Sequence, residues 1–493
     1  MAPTTNHVLD FEIHILPKQR DHYPVQVKLG DGGDFAGRLS ARDLLPWVST
    51  GDPVHDGQRL FNILFADATL RTAWDAARGR TGQCRVRLWI DTAAAELHAL
   101  PWEQLHDGDV WLAANGGTPF SRYLTSEVRW GGPVGERPIR VLAVVSNPND
   151  LAKYNLASMD VRRERELLEQ ALAKLPSERV DLTFMEPPIT LSRLERALRA
   201  GYHVLHVVGH GTFSQRRQQA ALCLQDDAGN TRIVTDERIS QILKQLSAPP
   251  NLIFLAACQS ATRSTVDAFA GLGPRLIEAG IPAVVAMQDN VSIQTARQMT
   301  PTFYEALMAH GEVDRALNAA RNNLLAAGHG DTAVPVLFMR LRDGRLWANT
   351  AEINAYLAQA VPAYEMQMVQ RVVGARAPHD QPYKFLYPFE IEDADIFFGR
   401  EAATQACYRK VCADCLTVLH AKSGAGKTSL LHAGLAPRLL REGRLPVYAR
   451  AYHDPVLAIK RAIAPPPWPE GLSDLPLAAF LHHVCTHLSR QTQ

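Results

Sequence analysis

Between residues 138 and 345 the chain alternates two kinds of segment, and this alternation restricts the fold more than any other feature. Short, nearly continuous apolar runs ("IRVLAVVSN", "HVLHVVGHG", "NLIFLAACQS", "IPAVVAMQ") have the length and Val/Ile/Leu content of strands buried on both faces. Between them lie amphipathic stretches such as "VRRERELLEQALAKL", "TLSRLERALRAG" and "TDERISQILKQL", with apolar residues at helical spacing. "ALCLQDDAGNTRIV" reads as a hairpin turning at Asp227–Asn230. Strands of this kind need helices over both faces, so the expected class is α/β, a mostly parallel sheet covered on both sides. Upstream, "FEIHIL" and "GQCRVRLWID" alternate apolar and polar residues as half-buried strands do. Gly131, Gly132 and Pro138 mark a boundary there. The expected divisions are a β-rich part over 1–135, a core over 136–345, a linker over 346–385 and a further α/β domain over 386–493.

Composition removes several function classes. The net charge of +1 gives no overall attraction to nucleic acid or membrane. No window approaches the roughly 18–20 apolar residues of a membrane helix. The seven cysteines are odd in number and lack framework spacing, which argues against a secreted disulfide scaffold. The N-terminus lacks the basic and apolar regions of a signal peptide, so a cytoplasmic setting is expected. Cys412-x-x-Cys415 lacks a second ligand pair for zinc, and His482, His483, Cys485 and His487 fall on different faces of a helix.

Two strand tips carry chemistry. "HVLHVVGHG" ends in His210-Gly211, and "NLIFLAACQS" carries Cys258 at its carboxyl end. In an open parallel sheet, ligands bind outside those ends. If the strands are neighbours, an imidazole and a thiol meet on one edge. The imidazole can generate the nucleophilic thiolate or protonate a leaving amine. Gly211, with no Cβ, lets its backbone N–H approach a carbonyl closely, and with the Cys258 N–H it could form an oxyanion hole.

These residues also carry a family resemblance. "HVLHVVGHG", "NLIFLAACQSA", "LIEAGIPAVVAMQ", "FYEALMAHGEVDRALNAAR" and "VPVLFMR", with "LHALPWEQLHD" and "FSRYL" upstream, resemble the bacterial CHAT peptidase domain of the caspase–separase group. The resemblance covers roughly residues 80–345. It implies a caspase-like fold and a cysteine endopeptidase needing no cofactor, with His210 as base or acid and Cys258 as nucleophile. His206 matches a histidine common in that strand and reads as packing. Asp289 stands in the loop after "VVAMQ", where such domains commonly carry an apolar residue and then an Asp. It could wall the pocket for a basic P1 residue, cap a helix or be a solvated acid.

A second chemistry lies in "CLTVLHAKSGAGKTSLLHAGLAPRLL". An apolar strand, a Gly-rich turn and a helix follow one another, and G-x-x-x-x-G-K-[ST] is met except that Ala421 replaces the first glycine. Ser423, Gly424, Gly426, Lys427, Thr428 and Ser429 are the expected nucleotide-binding residues. Lys427 would contact the phosphates of ATP or another NTP, and Thr428 would ligate Mg²⁺. With "DADIFFGRE" upstream, the region resembles the nucleotide-binding module of STAND-type signalling NTPases, here truncated and without a recognisable Walker B strand; Asp454 in "LPVYARAYHD" is poorly placed for one. The two resemblances together imply a peptidase gated by an NTPase switch that self-assembles on activation and cuts a partner protein. Bacterial defence or programmed cell death is the implied setting, and a gasdermin-like pore former is one candidate substrate. The rival expectation is a catalytically inactive, nucleotide-dependent signalling scaffold.

Overall fold

The structure is a computed structural model. It describes residues 8–488 except 82, 129, 131, 135–137, 174, 176–178, 215, 217–218, 258–262, 288–292, 330–331, 348–349, 375–383, 386, 451–453, 470, 474 and 476. The chain divides into two units, Met1–Trp347 and Ala348–Gln493.

The described residues of the first unit form fourteen strands: β1 Leu9–Ile15, β2 His22–Leu29, β3 Asp34–Ser40, β4 Cys84–Ile90, β5 Phe120–Tyr123, β6 Ile139–Val145, β7 Val180–Phe184, β8 Val204–Gly209, β9 Gly211–Ser214, β10 Gln219–Gln225, β11 Thr231–Thr235, β12 Leu252–Ala257, β13 Ala283–Met287 and β14 Pro335–Met339. Eleven of them form one sheet in the order β3-β2-β1-β4-β5-β14-β13-β12-β8-β6-β7, and β11-β10-β9 form a small separate one. The run β12-β8-β6-β7 is parallel throughout. All six residues of β8, five of them apolar or glycine and the other His206, are buried, as a strand between two helical layers requires. β2 instead alternates buried with partly or fully exposed residues, as a strand facing water on one side does.

Residues 1–135 and 136–345 were expected as separate parts, yet they share this sheet. β14 pairs in parallel with β5, Phe338 opposite Arg122. The Val313–Ala326 helix fastens the two halves. Arg85 on β4 reaches Asp314 and Glu312, each at 2.6 Å. Asn318 donates to the carbonyls of Leu112 and Thr118, and the wholly buried Arg321 donates to those of Ala113 and Pro335.

Two expectations for the second unit need correction. The segment 346–385, expected as a helical-to-irregular linker, does hold a helix, Thr350–Gly374, but that helix packs into the core of the unit. Its Ile353, Leu357 and Val361 recur every four residues, so they form one stripe, buried against Ile463, Leu472, Phe480 and Val484. The apolar run before the Gly-rich turn forms no strand; Leu416 and Val418 are 81% and 80% exposed. A strand is held by ladder bonds to a neighbour, and among the described residues of this unit there is no strand to supply them.

Candidate active site

The carboxyl ends of β6, β8 and β12 lie side by side. Ala257, the last residue of β12, pairs with Gly209, the last of β8. The residues that follow them in the sequence are Cys258 and His210. Cys258 and Asp289 lie outside the described residues; His210 and Gly211 are described.

His210 is 1% exposed. Its Nε2 donates to the Ala157 carbonyl at 2.8 Å. That bond places the ring proton on Nε2 and leaves Nδ1 with its lone pair free, the form in which an imidazole accepts a proton. Nδ1 is buried and has no hydrogen-bond partner among the described residues. Burial pushes the His210 pKa below the ordinary histidine value, and the bond to Ala157 opposes that shift without cancelling it. The loop that carries Ala157 is held in turn at Met159 by Asn147, just past β6. The Asn147 Oδ1 accepts the Met159 N–H at 3.0 Å, and its Nδ2 donates to the Met159 carbonyl at 3.2 Å. Sequence reasoning missed both residues. A backbone carbonyl leaves no mark in a sequence, and the only signal for Asn147 was a polar residue at the tip of a buried strand.

The small sheet orients Gly211. The Cys223 N–H donates to the His210 carbonyl at 2.9 Å, and Leu222 stands opposite Gly211. Antiparallel pairs alternate between bonded and non-bonded, so the Gly211 N–H points away from β10. It has no partner among the described residues. Cys223 itself is buried, and burial raises its thiol to about 11, so it stays protonated at neutral pH. His206 is fixed by packing: its ring stacks on Phe254 at 4.6 Å, and its Nδ1 lies 2.9 Å from the Tyr304 hydroxyl.

In the second unit, Gly424 and Gly426 have φ of +79° and +76°, backbone that favours glycine. The Lys427 ammonium donates to the carbonyls of Ala421 and Lys422 at 2.8 and 3.0 Å, so it lies within its own loop. Arg400, also missed from sequence, donates to the Ala425 carbonyl at 2.8 Å. Ser423 and Thr428 are exposed, but Ser429 is buried and its hydroxyl accepts the Phe389 N–H at 3.0 Å. Ser429 therefore braces the loop from inside rather than facing a ligand.

The first unit places a buried histidine at the carboxyl edge of a mostly parallel, helix-covered sheet. The CHAT domain family model matches residues 54–383, and the chain belongs to that family. The model of Novel STAND NTPase 1 matches residues 382–489. Similar solved structures include the Arg-specific cysteine proteinase gingipain R, at 12% identity and a TM-score of 0.34, covering 57% of this chain and 69% of that one. The Saccharomyces cerevisiae separase–securin complex is another, at 14% identity and 0.30, covering 55% of this chain and 17% of that one. No curated protein matches the chain. No described helix is long and apolar enough to cross a membrane.

Proposed function

We propose that the chain is a cysteine endopeptidase whose nucleophile is Cys258 and whose general base is His210. The observation that carries this reading is the pairing of Ala257 with Gly209, one residue before each member of the pair. In this reading Nδ1 of His210 takes the Cys258 proton, the thiolate attacks a peptide carbonyl, and the same nitrogen returns the proton to the leaving amine. The N–H groups of Gly211 and Cys258 hold the oxyanion. Ala157 keeps the imidazole in the required tautomer throughout. Asp289 is the candidate for a substrate-pocket acid that favours a basic P1 residue. The second unit is the proposed switch. ATP or another NTP with Mg²⁺ suits the loop, because Lys427 can exchange its two carbonyl contacts for phosphate oxygens and Thr428 is exposed for the metal. Nucleotide-dependent self-assembly, a cytoplasmic setting and a protein target in bacterial defence, such as a gasdermin-like effector, complete the reading.

The test is selective alkylation with cleavage mapping. An electrophilic thiol reagent is expected to label Cys258 well before the other cysteines, with the preference weakened in His210→Ala. Co-expression with candidate protein targets is expected to give cleavage by wild type and none by Cys258→Ala. Equal labelling of all exposed thiols, together with identical fragments from both chains, would sink the reading.

A further inference from the structure

A groove of about 630 Å³ opens beside the outer edge of β11, between that strand and the start of the Leu191–Leu198 helix. β11 ends the small sheet, so one of its sides has no neighbouring strand. The register fixes which backbone groups that side presents. Cys223 bonds toward β9, so Leu222 and Leu224 bond toward β11, and their partners Val234 and Arg232 face inward. The N–H and C=O of Ile233 therefore point outward, and neither has a partner among the described residues. Val234, Leu222 and Gly211 stand in line across the three strands, so this edge lies two strand spacings, about 10 Å, from Gly211.

The charges in the groove are unequal in availability. Glu195 is paired with Arg199 at 2.6 Å, and the Asp226 carboxylate accepts two N–H groups of its own turn. Arg232, Arg238 and Asp227 line the same groove and are exposed, with no ion pair among the described residues, so the unpaired arginines outnumber the unpaired acid. Successive side chains of a strand alternate in face, which separates Arg232 from the exposed Ile233.

We propose that this groove binds an extended, acidic segment of a polypeptide, which adds to β11 as a fourth strand. Its backbone pairs with Ile233, alternate acidic side chains meet Arg232 and Arg238, and the intervening apolar ones cover Ile233. Resting on the peptidase reading, the segment is a flank of the substrate, held three strand spacings, about 14 Å, and so at least about four strand residues from the cleavage centre. The inference names an acidic recognition element distinct from whatever occupies the P1 pocket.

Binding is measured on the full chain as Cys258→Ala, so that nothing is cut. The probe is a short capped fluorescent peptide of alternating Val and Glu. A Val/Lys peptide and a Val/Glu peptide N-methylated at alternate residues are the controls. The expected result is saturable binding of Val/Glu, none of Val/Lys, and a loss of about tenfold on N-methylation. The double variant Arg232→Glu/Arg238→Glu is expected to invert the preference toward Val/Lys, an outcome that a misfolded variant cannot give. Ile233→Pro removes only an outward N–H and is expected to weaken Val/Glu binding while leaving the ladder to β10 intact. Equal binding of the two charge types, retention of Val/Glu by the double variant, or indifference to N-methylation would each overturn the proposal. Val/Glu binding alongside equal labelling of all exposed thiols and identical fragments from wild type and Cys258→Ala would sink the peptidase reading and leave the acidic-strand site standing.

Discussion

At the scale of single residues, the site depends on how histidines are buried. With Cys258→Ala removing the thiolate, the His210 imidazole is expected to titrate below about 6.5 in an NMR titration. Replacing Asn147 with Ala frees the Ala157 loop and should move that midpoint further down, because the Ala157 bond that opposes the burial shift is weakened. A midpoint unmoved by Asn147→Ala would remove the orienting role argued for that side chain. His206 is wholly enclosed, and burial lowers it to about 3. Because its folded value lies below its unfolded one, the unfolded chain takes up the proton first. Its contribution to stability is therefore whole above about 6.5 and is lost as pH falls from there toward 3. His206→Phe is expected to flatten part of that slope in urea unfolding between pH 7 and 5. At pH 7 it should cost about 1–3 kcal/mol, because the Tyr304 hydroxyl loses its partner. His210, at the tip of β8, was legible in the sequence because it follows an apolar run, while Cys258 lies outside the described residues. The support of His210 was not, since Ala157 acts through its carbonyl and Asn147 through contacts with a loop twelve residues on.

At the scale of elements, periodicity carried the reading wherever an element's partners were themselves periodic. β6, β8, β12 and β13 and the helices between them fall where the apolar patterns put them. Periodicity failed in the second unit for two opposite reasons. Leu416 and Val418 have strand-like neighbours in sequence but, among the described residues of their unit, no strand to pair with. The helix Thr350–Gly374 buries one stripe against helices about a hundred residues further on, a contact no local window can register. The Val313–Ala326 helix makes a sharper claim. Glu312, at its N-cap, and Asp314 face Arg85 in the interior, so Arg85→Met should leave the buried Asp314 carboxylate without an ion-pair partner among the described residues, while Glu312 keeps Arg345 and Arg315. A loss of about 3–5 kcal/mol by urea unfolding is expected. Methionine that cost less than about 1 kcal/mol there would show the pair to be dispensable to the joint between the half-sheets.

At the scale of the whole molecule, the two units have separate cores, and heat or urea is expected to unfold them in two steps. ATP with Mg²⁺ should raise only the step of the second unit, and Lys427→Ala should abolish that rise while leaving the first unit's step in place. A single calorimetric transition that shifts as one body with nucleotide would contradict the separation. The joint between β5 and β14 reaches further still, into the making of the protein. β5 is four residues long, and its parallel neighbour lies some two hundred residues downstream. At roughly 5–20 residues per second, the ribosome leaves that edge open for about 10–40 s. During that interval the amino-terminal half is an unfinished sheet with a bare flank, which its shortness and Arg122 make a poor template for a stranger. A nascent chain halted before β14 is therefore the form in which this protein most needs a chaperone.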